Sequence, residues 1–411
     1  MYLSLRDRPG GGVHGTVARV ATTVLLLGTV SLLTDVSSEM VAAVLPLYLT
    51  AQAGLGLFAY GFVDGLYQGV SALVRIAGGY AGDRGNRPKW VAAVGYGLSA
   101  VSRAALLPAH GLAAITGVVT ADRLGKGLRT APRDALIADA SDPAILGRSF
   151  GVHRTLDTIG AAIGPLVAFA LLLAVPGGYD SIFVVSFAVA VVGLAVLVLF
   201  VPDRRPGLVG AARLGLKRLA REVTAPKLRR PLLAAGLLSL LTVGDGFLYL
   251  SLQRRDHFAA LLFPLLYVGT NVAYLSLAVP LGRLADRIGR ARVFVGGYVA
   301  LLAAYLVAAA PLHGVAATVG CLALLGTFYA ATDGVLSALV SRLVPAEARG
   351  SGIAAAQTVV TVARFASSLA FGGLWVVTGR SQALLLVAAL LAAAIPVAGW
   401  LTRPRPAAEP A

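Results

Sequence analysis

Of 411 residues, 57% are hydrophobic and 13% charged, with a mean hydropathy of +0.81; a soluble domain carries about 25% charged residues, so lipid must be the solvent for most of this surface. The net charge of +16 would suit nucleic acid, but its distribution along the chain excludes that partner, and the lack of a Gly-x-x-x-x-Gly-Lys-Ser/Thr loop excludes ATP-driven pumping by this chain alone. The single Cys321 excludes an internal disulfide and, in its apolar run, reads as an inert buried thiol.

Apolar runs of about 20 residues, enough to cross a ~30 Å hydrocarbon core as helices, occupy 19–49, 57–80, 90–109, 112–137, 150–175 and 181–201. After a polar interval they resume at 231–252, 258–281, 293–312, 315–341, 351–377 and 382–402. The first run far exceeds the ~7–15-residue core of a cleavable signal and is expected to stay as a membrane helix. The pattern predicts an all-α membrane protein of twelve transmembrane helices. They form one six-helix bundle over residues 1–201, a basic linker over 202–230 and a second six-helix bundle over 231–411.

Basic residues set the expected orientation. Arg84, Arg87 and Lys89 follow the second run, Arg148 the fourth, Arg283, Arg287, Arg290 and Arg292 the eighth, and Arg342 and Arg349 the tenth. The linker and both tails are also basic, whereas the alternate connections are short and nearly neutral. The positive-inside rule then puts both termini and the linker in the cytoplasm, as a multi-pass protein of the inner (plasma) membrane. Leu214, Leu216, Leu219 and Val223 between the linker's basic residues fit either an amphipathic helix lying on anionic headgroups or a solvated connector.

A charged loop occurs twice, as Gly79-Tyr80-Ala81-Gly82-Asp83-Arg84-Gly85-Asn86-Arg87 and as Gly282-Arg283-Leu284-Ala285-Asp286-Arg287-Ile288-Gly289-Arg290. The copies are 203 residues apart (282−79, 286−83, 290−87), about half of 411, which marks an internal duplication. On these residues the chain resembles the major facilitator superfamily, whose signature G-x-x-x-D-R-x-G-R joins helices 2 and 3 and recurs between helices 8 and 9. The second copy is complete; the first departs only at Asn86, and Asn tolerates positive φ better than other non-glycine residues. The resemblance covers essentially the whole chain and implies the major facilitator fold. It also implies that Asp83 and Arg87 act as a conformational latch, with Asp134 or Asp139 at the end of helix 4 as partner, and that Asp286, Arg287 and Arg290 repeat the device. A purely topological role for these charges is the competing reading.

In the fifth run Gly151, Gly160 and Gly164-Pro165 resemble the antiporter pattern G(x8)G(x3)GP(x2)GG of the drug:proton antiporter branch, although Ala168-Phe169 replaces its last glycine pair. Small residues at this spacing let helices pack closely and proline bends a helix; an ordinary packing face is the alternative. In the fourth run Arg123 and Gly127 resemble the family's R-x-x-x-G, whose arginine is linked to proton transfer. Around it Asp122, Lys126, Arg129 and Arg133 form one helical stripe that cannot face lipid.

Asp35 and Glu39 lie four apart in the first run, so they share a helix face and could share one proton. Asp35 lies about 24 Å along the helix from Arg19, at 1.5 Å per residue, well inside the bilayer. A carboxyl at that depth must be paired or take up a proton, so the pair reads as a proton-coupling site or as a structural bridge to Arg123 or Lys126. Asp64, Asp157, Asp245 and Asp333 are further acids inside runs. By the resemblance, helices 1, 4, 7 and 10 line the cavity, so Asp245 and Asp333 become cavity residues, with few cations near beyond Arg364. His153 and Asp157 are spaced to share a metal, but two ligands suit packing better; no metal and no cofactor are expected.

These features predict a proton-coupled exporter, an antiporter of small cationic or amphiphilic molecules working by alternating access. The expected partners are that small molecule, protons and anionic headgroups, with no nucleic acid, and the chain is expected to be monomeric. A nutrient facilitator or symporter is the runner-up, and a lipid flippase or membrane sensor comes from a different class. An enzyme fits least, because no nucleophile–base–orienter set stands out.

Overall fold

The computed structural model describes residues 20–85, 87–203, 226–343 and 349–402, and within these the side chains of 71–73, 75–85, 143, 226–227, 342–343, 349–351 and 354 fall outside the description. All regular structure among the described residues is helical. The helices are α1 (Thr22–Leu47), α2 (Leu57–Gly85), α3 (Pro88–Ala105), α4 (Gly111–Ala140), α5 (Leu146–Ala174), α6 (Tyr179–Phe200) and α7 (Pro226–Leu240). They continue as α8 (Asp245–Asp256), α9 (Phe263–Ile288), α10 (Arg290–Ala309), α11 (Val315–Thr332), α12 (Val335–Leu343), α13 (Arg349–Thr378) and α14 (Arg380–Leu401).

Every apolar run has become helix, because a backbone surrounded by lipid must bond within its own segment. Nine stretches among the described residues are long and apolar enough to cross a membrane. α4 is not among them, because its stripe of charges lowers its hydropathy. Large side chains such as Leu199 (72% exposed) and Val377 (83%) point outward, where only lipid would accept them at no cost.

The chain divides into two compact units. The first takes the described residues of Met1–Leu55, Gly69–Arg213 and Ala259–Val268, and the second those of Gly56–Gln68, Leu214–Phe258 and Gly269–Ala411. In the first, α1 lies against α5 and α6, and α3 against α4 and α6. Val24, Leu27, Val30, Tyr96, Ile137 and Leu197 form its buried apolar cluster. In the second, α10 packs on α11 and α14, and α7 on α13 and α14. Lipid is as apolar as these side chains, so close van der Waals packing and buried polar bonds must hold the helices together.

Two of the runs differ from the uninterrupted spans that hydropathy predicts. The 231–252 run breaks between α7 and α8, and the 315–341 run breaks between α11 and α12. At the first break the backbone groups find side-chain partners: Val243 N donates to the Tyr305 hydroxyl at 2.7 Å, that hydroxyl donates to Leu241 O at 3.0 Å, and Ser367 Oγ donates to Thr242 O at 2.9 Å. At the second, Gly334 has φ +76°, a left-handed turn that favours glycine.

The second signature loop shows why its glycine is there. Gly289, between α9 and α10, has φ +104°, which L side chains rarely adopt. Gly289→Ala is expected to cost about 1–3 kcal/mol although no atom lies within 4 Å of the added Cβ. Thermal unfolding of the purified protein checks this against Gly296→Ala, a site with ordinary φ and equally open space; equal melting temperatures would refute it.

Candidate functional site

In the first unit the α4 stripe builds a buried ionic cluster. Asp122 accepts from Arg103 Nη1 of α3 at 2.6 Å and from Arg123 Nε at 2.9 Å. Arg103 also donates to Ser38 Oγ of α1 at 2.6 Å and to the Ser99 carbonyl. Both arginine side chains are 4% exposed, so a single carboxylate balances two buried guanidinium groups. Arg123 is thus engaged with its neighbour Asp122 rather than bonded to Asp35 or Glu39, although it lies within electrostatic reach of Glu39.

About two turns further along α4, Arg129 stacks over the Tyr96 ring at 4.4 Å and approaches Asp35 Oδ1 to 3.9 Å. That separation is beyond hydrogen-bond range, so this ion pair is loose. Lys126 lies within electrostatic reach of both Asp35 and Glu39, and neither carboxylate has a cation within hydrogen-bond distance among the described residues. Arg133 donates to Asp134 Oδ1 at 2.8 Å and to Ser31 Oγ at 3.3 Å, and stands 3.9 Å from Asp157. Ser31, Asp35 and Ser38 therefore fall on one stripe of α1 and read the α3–α4 charges in register.

The Asp35–Glu39 face of α1 is held by the α5 glycines. A Cβ at Gly164 would lie 2.7 Å from Glu39 Cβ and 2.8 Å from Val36 O, and one at Gly160 would overlap the Leu32 carbonyl. Gly151, by contrast, is open. The motif therefore splits physically: Gly160 and Gly164, with Pro165 buried beside them, seat α1, and Gly151 does not. His153 bonds Ser31 Oγ at 2.9 Å, and no group of three or more His, Cys, Asp or Glu that could hold a metal occurs among the described residues.

The second unit treats its acids differently. Asp245 opens α8 and accepts from the Tyr329 hydroxyl at 2.6 Å. Asp333 ends α11 and accepts from the Tyr274 hydroxyl at 3.2 Å. Asp64, on the part of α2 that belongs to this unit, accepts from Ser368 Oγ at 2.5 Å and presses on Gly244, where a side chain would meet its carboxylate. Each acid is held by a neutral hydroxyl. Asp64 is visible in the sequence as an acid inside an apolar run, but its Ser368 partner is not, because nothing in the spacing ties residue 64 to the far end of the chain.

In the second signature loop Arg290 Nη2 bonds Asp286 Oδ1 at 3.0 Å and Arg290 Nη1 bonds the Ala338 carbonyl of α12 at 3.0 Å. Arg287 and Gly282 lie on the last turns of α9, Arg287 exposed. In the first copy the side chains of Gly79, Asp83 and Arg84 lie outside the described residues, and Arg87 stands exposed before α3. Asp134, expected as a latch partner, is bonded to Arg133.

The sequence matches the family profile of the Major Facilitator Superfamily over residues 27–272 and 246–411. It is 31% identical over 367 residues to an uncharacterized MFS-type transporter of Methanocaldococcus jannaschii, covering 86% of this chain and 88% of that one. The crystal structure of the nucleoside transporter NupG is similar with a TM-score of 0.78 at 14% identity, covering 93% of this chain and all (100%) of that one. A POT family transporter in complex with 5-aminolevulinic acid is similar with a TM-score of 0.77 at 12% identity, covering 93% and 97%. At such identities the two structures show a shared fold, whereas the profile and the archaeal relative show descent. The helical architecture, the duplicated loop and these matches establish that the chain belongs to the Major Facilitator Superfamily and is a multi-pass membrane transporter, not an enzyme.

Proposed function

We propose that this transporter is a proton-coupled exporter of the inner membrane, an antiporter that trades protons for a small molecule bearing a cationic group. The observation that carries this reading is the Asp35–Glu39 pair. Two half-buried carboxylates share one helix face, with Arg129 only at 3.9 Å and Lys126 in electrostatic reach. Carboxylates so placed can exchange a proton for a cationic neighbour without breaking a tight bond. The Arg103–Asp122–Arg123 cluster fixes the α4 charges opposite them. Asp245 and Asp333 in the second unit supply negative charge for the cargo.

The remaining assignments follow from that reading. Gly160, Gly164 and Pro165 keep α1 and α5 sealed. Asp83, Arg84 and Arg87, with Asp286, Arg287 and Arg290, latch the cytoplasmic ends, where both termini and the basic linker lie. Residues 1–201 and 231–411 are the two functional halves.

In proteoliposomes carrying an imposed pH gradient, cargo drawn from a panel of cationic and zwitterionic amphiphiles is expected to accumulate uphill. Asp35→Asn and Glu39→Gln are each expected to abolish uphill movement while leaving downhill exchange. Uphill accumulation that persists in both variants would rule out this coupling site.

A further inference from the structure

Arg364, in the middle of α13, differs from Arg103, Arg123, Arg129 and Arg133 of the first unit, each of which stands in an ion pair. Its guanidinium makes no hydrogen bond or ion pair among the described residues, and its Nε is buried without a partner. It nevertheless lies within electrostatic reach of Tyr329, Tyr298, Asp245 and Asp333. An arginine and a carboxylate in direct contact gain by forming a bidentate pair. Neither acid forms an ion pair with it among the described residues: Asp245 accepts from Tyr329 at 2.6 Å, and the exposed Asp333 accepts from Tyr274 at 3.2 Å.

The broken helices sharpen the two poles. Asp333 ends α11, so its carboxylate adds to the partial negative charge of that helix's C-terminus, a place that favours a cation. Arg364 presents a planar fork suited to a carboxylate. An anion alone would leave the acids unmatched, and a cation alone would leave the buried Nε unmatched.

We infer that the second unit binds a small zwitterion, whose carboxylate lies on Arg364 and whose ammonium lies toward Asp333 and Asp245. This inference deepens the exporter reading and rests on it for the location of the cargo site. It replaces a purely cationic cargo by one of amino-acid or short-peptide chemistry.

Thermal melting of the full-length protein in detergent tests it, with a panel of amino acids and dipeptides, each compared with its amide (cation only) and its N-acetyl form (anion only). At least one zwitterion is expected to raise the melting temperature and to bind about 10- to 100-fold more tightly than either single-charge analogue, the range for losing a charged hydrogen-bonding partner. Arg364→Gln is expected to erase the advantage over the amide, and Asp333→Asn the advantage over the N-acetyl form. Should Arg364→Gln fail to fold, Arg364→Lys keeps the charge, loses the fork and is expected to weaken the zwitterion about tenfold. A panel in which no zwitterion shifts melting, amides that bind as well as their zwitterions, or an advantage that survives both Arg364 variants would overturn the assignment. Melting is read without a gradient and its variants leave Asp35 and Glu39 in place, so cargo class and coupling fail independently.

Discussion

Asp122→Asn is expected to destabilise the protein by about 3–5 kcal/mol, the range for removing one partner of a buried ion pair. The carboxylate is the shared acceptor of Arg103 and Arg123, whose side chains are each 4% exposed. An asparagine there leaves two cations together in the membrane interior, where charge is most costly. The protein should reach the membrane in reduced amount and melt at a markedly lower temperature in detergent. Adding Arg103→Gln to Asp122→Asn removes one of the stranded charges and is expected to recover part of the loss. A single variant that melts with the native protein would show that the cluster does not bear the structural role assigned to it.

The second large effect concerns the α1–α5 seam. Gly160→Leu and Gly164→Leu are expected to force α1 away from α5, at about 1–3 kcal/mol each for overpacking and with severe loss of transport. The atoms a side chain would meet are backbone and Cβ atoms, namely the Leu32 carbonyl, Val36 O and Glu39 Cβ, and these cannot swing aside. Gly151→Leu is expected to leave both stability and transport near native, because nothing lies within 4 Å of its added Cβ. Melting temperature and vesicle transport, measured on all three, distinguish this seam from a motif whose glycines act alike; an equal response of the three would refute the seam.

Much of the architecture can be read from residue patterns. Apolar run length specifies helices because lipid allows the backbone no other solution, and the duplicated loop at Asp83 and Asp286 exposes the repeat. The α4 stripe is equally plain, since charges at helical spacing must turn inward. What spacing cannot supply is the partner across a helix interface. Arg103 meets Asp122, and Arg129 approaches Asp35, through packing between elements that no local rule links. Arg123 attracts notice through its motif, whereas Lys126 and Arg129 stand nearer to the acid pair's chemistry.

The two helix breaks carry a signal that hydropathy smooths away. Asp-Gly occurs three times in the chain, at 64–65, 245–246 and 333–334, and Asp-Gly is a turn former. Two of these pairs sit at breaks, at the start of α8 and the end of α11. The third lies within the continuous α2, where a Cβ at Gly65 would meet Phe365 at 2.9 Å. Whether such a pair breaks a helix is thus decided by its neighbours: Tyr305 and Ser367 take up the freed backbone groups around 241–243, and close packing alone uses Gly65. The acids of all three pairs belong to the second unit.

Proton coupling through Asp35 and Glu39 is the central claim, and the most direct measurement is proton movement itself. Proteoliposomes loaded with a pH-sensitive dye would receive the tightest-binding zwitterion from the melting screen, with no imposed gradient. The expected result is a cargo-dependent pH change in native protein that disappears in the double variant Asp35→Asn/Glu39→Gln, while that variant still binds the cargo and exchanges it downhill. A pH change of native size in the double variant, or cargo movement by native protein with no proton movement at all, would contradict the claim.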